Sequence, residues 1–399
     1  SNNDIGVFES GGTTTAAGNN GQGISVVSLL GGGVVRTRIL DNTIAANGRS
    51  GVLLAQGSLN SEVTDNVIGG AAGSVFGNAR DGISIFGSDN NTLTGNTIVG
   101  NQWNGIRMFG SVGGDWHSDG VIQGNFIGVI PGSPIQVVPN GRSGISSTGN
   151  EGAYLVGGAA EGEGNILSGN VRWGMILGDN DHVVQGNRIG VDPQGANAIA
   201  NGSGGSQYSG VGLFGQGIDF GGVADHHLLP TLGESNQVSG NSGAGLVVGG
   251  AANRVIGNLV GLDEYGSGPI GNTGTGIGVI DGSDHFVGLD DERNLVGGNG
   301  AYGIHVYADS GVTVQNVVVR DNWVGVGWAE AVVPNAFDGI LAELVVGGTM
   351  SVVRIEENRV WFNDAVGIAV DRASGVSLVE NSVTDNGLCG IEMRNAANQ

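Results

Sequence analysis

Three stretches of the sequence bring acid–base or metal-ligating side chains close together. Asp115-Trp116-His117-Ser118-Asp119 sets two carboxylates and an imidazole beside an indole. Such a set suits proton transfer at a sugar stacked on the ring. A second group joins Asp281, Asp284 and His285 to Asp290-Asp291-Glu292. Carboxylates about 5–9 Å apart would suit glycoside hydrolysis. Asp225-His226-His227 pairs two imidazoles, but adjacent strand residues point apart and a metal needs a third ligand. The catalytic candidates are therefore Asp115, His117, Asp119, Asp281, Asp284 and His285. Each has a plainer reading as a solvated loop or a structural turn. Asp291-Glu292-Arg293-Asn294 fills the slot that Gly162-Glu163-Gly164-Asn165 fills elsewhere, which favours a turn.

Two further sets bear on ligands. Trp103, Trp173 and Tyr302, with Phe337, recur near one repeated corner, and Trp116 lies in the first stretch. They read as a carbohydrate-stacking stripe or as covers for that corner. Asp192 and Asp263 open Asp-x-x-Gly turns. They would suit calcium, the one cofactor the sequence hints at, although an Asx-turn explains them as well.

These residues must be positioned by a repeat. Its phrase is Asn, three residues, Gly and an aliphatic residue, as in Asn101-Gln102-Trp103-Asn104-Gly105-Ile106. The Gly recurs thirteen times, from Gly23 to Gly390, and Asn stands four places earlier in twelve copies. Asn47, Asn101, Asn170, Asn241, Asn299, Asn363 and Asn386 are among them. The exception is Gly210, where Ser206 takes that place. A short alternating strand follows each Gly, a second strand ends in another Asn, and a third follows that Asn. Three strands in about 23 residues match one coil of a parallel β-helix. Both Asn positions are expected to form ladders, each amide bonding to the next coil at about 4.8 Å, with Asn adopting the left-handed corner conformation. Short and long coils alternate from Asn42 to Asn358. The long ones carry loops at Gly69–Gly82, Gly128–Gly144, Gly190–Gly210, Gly261–Gly276 and Gly325–Gly339. Apolar pairs in these loops, Val137-Val138 and Val332-Val333 among them, are expected to pack on the neighbouring short coil or on the next loop.

Composition narrows the partners. All 15 cations are Arg against 37 acidic residues, a net charge of −22. No basic stripe shows along the chain, so neither nucleic acid nor an anionic membrane surface is expected as partner. One cysteine, Cys389, allows no internal disulfide. No apolar run reaches membrane-spanning length, so membrane insertion is not expected.

The phrase, with Gly186-Asn187-Arg188-Ile189-Gly190 and Gly164-Asn165-Ile166-Leu167-Ser168-Gly169-Asn170, resembles right-handed parallel β-helix repeat proteins of the pectin-lyase-like superfamily. The resemblance implies one all-β solenoid of about 13 coils over residues 1–399, of the bacterial secreted or cell-surface type. The superfamily's polygalacturonase and alginate-epimerase motifs do not carry over; only Asp290-Asp291 survives. The expected function is an extracellular structural or adhesive rod that presents loops and an acidic surface to a polysaccharide, a cell-surface glycan or another partner. The alternative is a polysaccharide lyase, epimerase or glycoside hydrolase. Both ends fall within a repeat, so a longer natural chain or end-to-end or homo-oligomeric association is expected.

Overall fold

Short apolar alternation gives strands with one buried edge, and the computed structural model stacks them into a right-handed parallel β-helix. It describes residues 2–10, 13–27, 34–55, 57–70, 76–110, 120–149, 152–205, 207–223 and 233–395. Three sheets of 13 strands each run its length. Strands that follow the phrase Gly form the first sheet, such as Ile83–Phe86 on Ile106–Phe109. The second contains Thr92–Thr94, and the third contains Thr97–Ile98 on Phe126–Ile127. All ladders between coils are parallel, in register, so equivalent side chains stack. Ile44, Ile68, Ile98, Ile127, Leu167 and Ile189 make one such column inside, each with no exposed surface. Burying each contributes about 1.5–3 kcal/mol.

Two unbroken amide ladders mark two of the corners. The first runs through Asn3, Asn42, Asn66, Asn96, Asn125, Asn165, Asn187, Asn236, Asn258, Asn294, Asn322, Asn358 and Asn381, with Nδ2–Oδ1 links of 2.9–3.1 Å. The second runs from Asn19 through Asn47, Asn78, Asn101, Asn140, Asn170, Asn201, Asn241, Asn272, Asn299, Asn335 and Asn363 to Asn386, at 2.8–3.0 Å. Asn96 shows how the group is used up. Its backbone N–H and Nδ2 both donate to Asn125 Oδ1, at 3.0 and 2.9 Å. Its other Nδ2 proton goes to the Val63 carbonyl, and its Oδ1 accepts two bonds from Asn66. No capacity of the amide is left over.

Two expectations are corrected here. The ladder does not skip the coil of Gly210, where Ser206 stands in the phrase position: Asn201 supplies the amide, and the insertion lies between it and the Gly. Nor are the ladder asparagines left-handed. The strain falls on the residue just before them: Asp41, Asp65, Gly95, Gly124, Gly186 and Asp321 have φ between 50° and 67°. At these tight corners the preceding residue takes the turn so that the amide can point inward; before Asn165, Asn236 and Asn294 it does not. Short Asp and Gly tolerate it best.

The loops leave where expected. In long coils Gly69, Gly128, Gly190, Gly261 and Gly325 are left-handed at φ 81–91° and start the excursion. Short antiparallel pairings close it, as in Val129 with Val137 and Val326 with Val332. Val138 and Val333 pack down as expected, while Val137 and Val332 stay exposed. The phrase Gly is required by closeness alone. A Cβ at Gly105 would stand 2.6 Å from Ile127 Cγ2 and 2.7 Å from the Gly144 carbonyl.

Two outcomes follow. Asn170→Ala removes one rung and should cost about 3 kcal/mol in chemical denaturation. Asn170→Asp should cost more, because it sets a carboxylate against Asn201 Oδ1 and the Ile127 carbonyl, which now receive amide protons. Equal midpoints for wild type and Asn170→Asp would contradict the ladder. Gly105→Ala should be destabilising by several kcal/mol, of order 3. Gly21→Ala, with nothing within 4 Å of the added carbon, should be silent.

Candidate functional site

Asp115, Trp116, His117, Asp119 and the Asp225-His226-His227 stretch lie outside the described residues. Asp281, Asp284 and His285 are described, and they do not converge on one point. Asp281 is exposed and caps its neighbour's N–H at Gly282. Asp284 is left-handed and exposed; its oxygens accept from Ser283 and Asn316 at 2.7 and 2.6 Å. Both bonds hold its carboxyl below the usual range, that from Asn316 first. His285 is fully buried. Its Nε2 lies 3.0 Å from the Asp281 carbonyl, and its Nδ1 accepts the Asn253 N–H.

His285 belongs to a third corner. There Asn91, His182, Asn253 and His285 each accept the N–H of the residue one coil earlier, from Ser61, Tyr154, Ile218 and Asn253. This corner mixes Asn and His, so it shows no simple repeat. Burial lowers both imidazoles, His182 to about 4. They are structural caps. Asp192 and Asp263 are also caps: Asp192 accepts from Ala196 N and Asn197 Nδ2, and Asp263 from Ser267 N.

The side chains that do come together lie on the outer face of the first sheet, in its C-terminal coils. Period two puts Ile304 and Val306 inside and His305 and Tyr307 outside. Register then places Tyr307, Glu343, Asp371 and Arg394 in one row, with His305 in the next. His305 Nε2 lies 3.3 Å from Glu343 Oε2. The Tyr302 and Tyr307 rings lie 4.7 and 5.1 Å from the imidazole, and Phe337 sits 5.5 Å from Tyr302. Arg372 holds Glu343 at 2.8 Å and Asp371 at 3.4 Å. Arg394 grips buried Asp338 through both carboxylate oxygens, at 2.8 and 3.2 Å. Burial lowers His305 to about 4, so it is neutral at pH 7. Burial also raises both phenols. A neutral imidazole with a carboxylate close by, between two phenols, has the parts of a proton-transfer centre.

The same face and its corner are different in the N-terminal coils. The residue two places before the phrase Gly is Arg49, Arg80, Trp103, Arg142, Arg172 and Tyr208 in successive coils, joined by backbone bonds from Arg49 to Arg172. Trp103 lies between Arg80 and Arg142, whose guanidinium carbons are 5.2 and 4.3 Å from its ring centre. Arg172 lies over Tyr208 and Arg107 over Phe109. Phe86 packs 4.9 Å from Phe109. A hollow of about 300 Å³ opens among Arg80, Asp81, Trp103, Arg107, Phe86 and Phe109. Trp173 lies farther along the face, edge-on to Phe214 at 6.0 Å.

Of the stacking residues expected from sequence, Trp103, Trp173 and Tyr302 thus share this face and its edge. The sequence reading missed His305, Glu343, Arg372 and Arg394. Their signal was present in the Gly register, because His305 falls two places and Glu343 four places after a phrase Gly.

Residues 3–130 match the family described as "Periplasmic copper-binding protein (NosD)". No curated protein is significantly similar in sequence. Among solved structures, a double mutant of the periplasmic alginate epimerase AlgG is similar, with TM-score 0.54 and 12% identity over 90% of this chain and 78% of that one. The Azotobacter vinelandii mannuronan C-5 epimerase AlgE4 A-module aligns at TM-score 0.34 and 15% identity, covering 92% and 90%. A GH87 α-1,3-glucanase catalytic domain with nigerose aligns at 0.40 and 12%, covering 89% and 61%. The AlgG likeness extends to the parallel β-helix itself. The copper in the matched family's name does not suit this stretch. Residues 3–130 hold no cysteine, one histidine (His117) and one methionine (Met108), which is wholly buried in the core.

The buried imidazoles make stability depend on pH. His182 takes a proton near 6.5 when unfolded but only near 4 when folded. The stabilisation is therefore complete above about 6.5 and lost as pH falls toward 4, roughly 3 kcal/mol at this residue. His182→Asn should keep the cap, as Asn91 and Asn253 do, and flatten the loss. Denaturation midpoints at pH 7 and 4.5 measure it; an unchanged pH slope in the variant would contradict the assignment.

Proposed function

We propose that this protein is a polysaccharide-active enzyme that works outside the cytoplasm, with its glycan laid along the outer face of the first sheet. One observation carries the reading: His305 and Glu343, 3.3 Å apart, are flanked by Tyr302 and Tyr307 and braced by Arg372. Glu343 Oε2 sets a negative charge 3.3 Å from Nε2. A phenol alongside is suited to donate to a leaving or rebounding oxygen or carbon. Phe337 and Tyr302 offer ring faces to a sugar. The fold shared with a periplasmic alginate epimerase, and the name of the family matched by residues 3–130, agree with a glycan and a periplasmic or extracellular setting. Among the described residues no helix is long and apolar enough to cross a membrane.

The structural or adhesive reading has its own support. Both arginines of the cluster are already neutralised, Arg372 by Glu343 and Asp371, Arg394 by Asp338 and Glu392. Such a cluster would hold a glycan without reacting with it.

Incubation with uronate and neutral glycans separates the two. The enzyme reading expects unsaturated ends, reducing ends or epimerised residues from at least one glycan. His305→Gln and Glu343→Gln should each lower that rate about 100-fold with the thermal midpoint kept. Glycan binding without product, or full rates in both variants, would favour the rod.

A further inference from the structure

The geometry points to a second site on the same molecule: a cationic tract in the N-terminal coils that binds a linear anionic polysaccharide. The charge pattern is the first argument. Of 15 arginines, nine sit within 4.0 Å of a carboxylate: Arg36, Arg38, Arg188, Arg254, Arg293, Arg320, Arg359, Arg372 and Arg394. In a chain of net charge −22, pairing is what an arginine should find. Yet Arg49, Arg80, Arg107, Arg142 and Arg172 have no ion pair with any described residue, and all lie on one edge of one face, in successive coils. The expectation of no basic stripe is therefore corrected. The stripe is hidden in sequence because the arginines are spaced by loops of unequal length.

Geometry is the second argument. Four of the five guanidinium groups are held in place by stacking rather than by acids. Arg80 and Arg142 clamp Trp103, Arg107 covers Phe109, and Arg172 covers Tyr208. Stacking fixes the plane of the cation and leaves its N–H edge for an anion. The coil rise of about 4.8 Å separates Arg49 from Arg80, and Arg142 from Arg172, by about one sugar of an extended chain, and Arg80 from Arg142 by about two. The hollow of about 300 Å³ beside Arg80 and Arg107 has room for one sugar ring. Gln22 lines it with an amide nitrogen to offer, while the Ser50 and Ser84 hydroxyls in its wall bond to each other. Asp81, also in its wall, is engaged by Asn104 and Ser84, so it is tied within the protein.

A linear glycan with a carboxylate or sulfate on successive sugars fits these features. A nucleic acid fits less well, because both faces of Trp103 are covered by arginine and no base can stack there. The tract deepens the proposed function by naming the charge class of the glycan, and it lies several coils away from His305. Failure of one site can thus be told from failure of the other.

The test is binding of the full chain to polygalacturonate, a sulfated glycosaminoglycan, a neutral β-glucan and single-stranded DNA, at low and physiological salt. Carboxylated or sulfated glycan should bind, whichever of the two is tighter naming the anion, and should weaken as salt rises. Arg80→Gln with Arg142→Gln should lose roughly tenfold or more in affinity. Tyr307→Phe, outside the tract, should bind as wild type whether or not it alters turnover. Arg354→Gln, which removes an exposed arginine far from the tract, controls for net charge. The proposal is overturned by no anionic-glycan binding at low salt, by equal binding in the double variant, or by DNA or neutral glucan binding as tightly.

Discussion

A side-chain amide that bonds to its own kind one coil away is the interaction on which this molecule rests. Both ladders point the same way, donor on the earlier coil and acceptor on the later. The backbone N–H of most ladder asparagines, Asn140 and Asn201 excepted, fixes that direction, because it too donates to the next Oδ1. Reversing one amide would set oxygen against oxygen and leave a buried N–H without a partner, a cost of a few kcal/mol. Asp cannot replace it, since it has no protons to pass on. The inner wall is then closed by aliphatic columns and by glycines with no room for a side chain.

That division of labour leaves the outside free. Corners and inward positions are spoken for by amides, Ile, Val and Gly. Outward positions on the first sheet, and the corner residue two before each phrase Gly, carry no structural duty. Both candidate sites use only those free positions. His305, Tyr307, Glu343 and Asp371 alternate with buried neighbours on their strands. Arg80, Trp103 and Arg142 share one corner column. Parallel, in-register stacking then turns residues some 30 apart in sequence into neighbours, with the loops absorbing the difference in length.

The fold was legible for this reason and the sites were not. Asn and Gly at fixed separation state the ladder directly, because no other residue satisfies both bonds or fits both gaps. Asn201 escaped because an insertion follows it. The left-handed residues were misassigned because Asp and Gly before Asn look like ordinary turn composition. The clusters around Asp281 and Asp192 drew attention by local density of charge, and locally they act, as turn and corner caps. His305 and Glu343 are 38 residues apart, and nothing near either one marks it. Only alignment of coils by the phrase Gly brings them, or the five arginines, into one place.

Hydrogen exchange of the asparagine side-chain amides, resolved by NMR on deuterated protein, tests the ladders most directly. The account predicts slow exchange of the Nδ2 protons of Asn96, Asn125, Asn170 and Asn241, by orders of magnitude relative to exposed Asn60 and Asn180. Ladder amides that exchange as fast as those two would mean that the coils are not held together in this way.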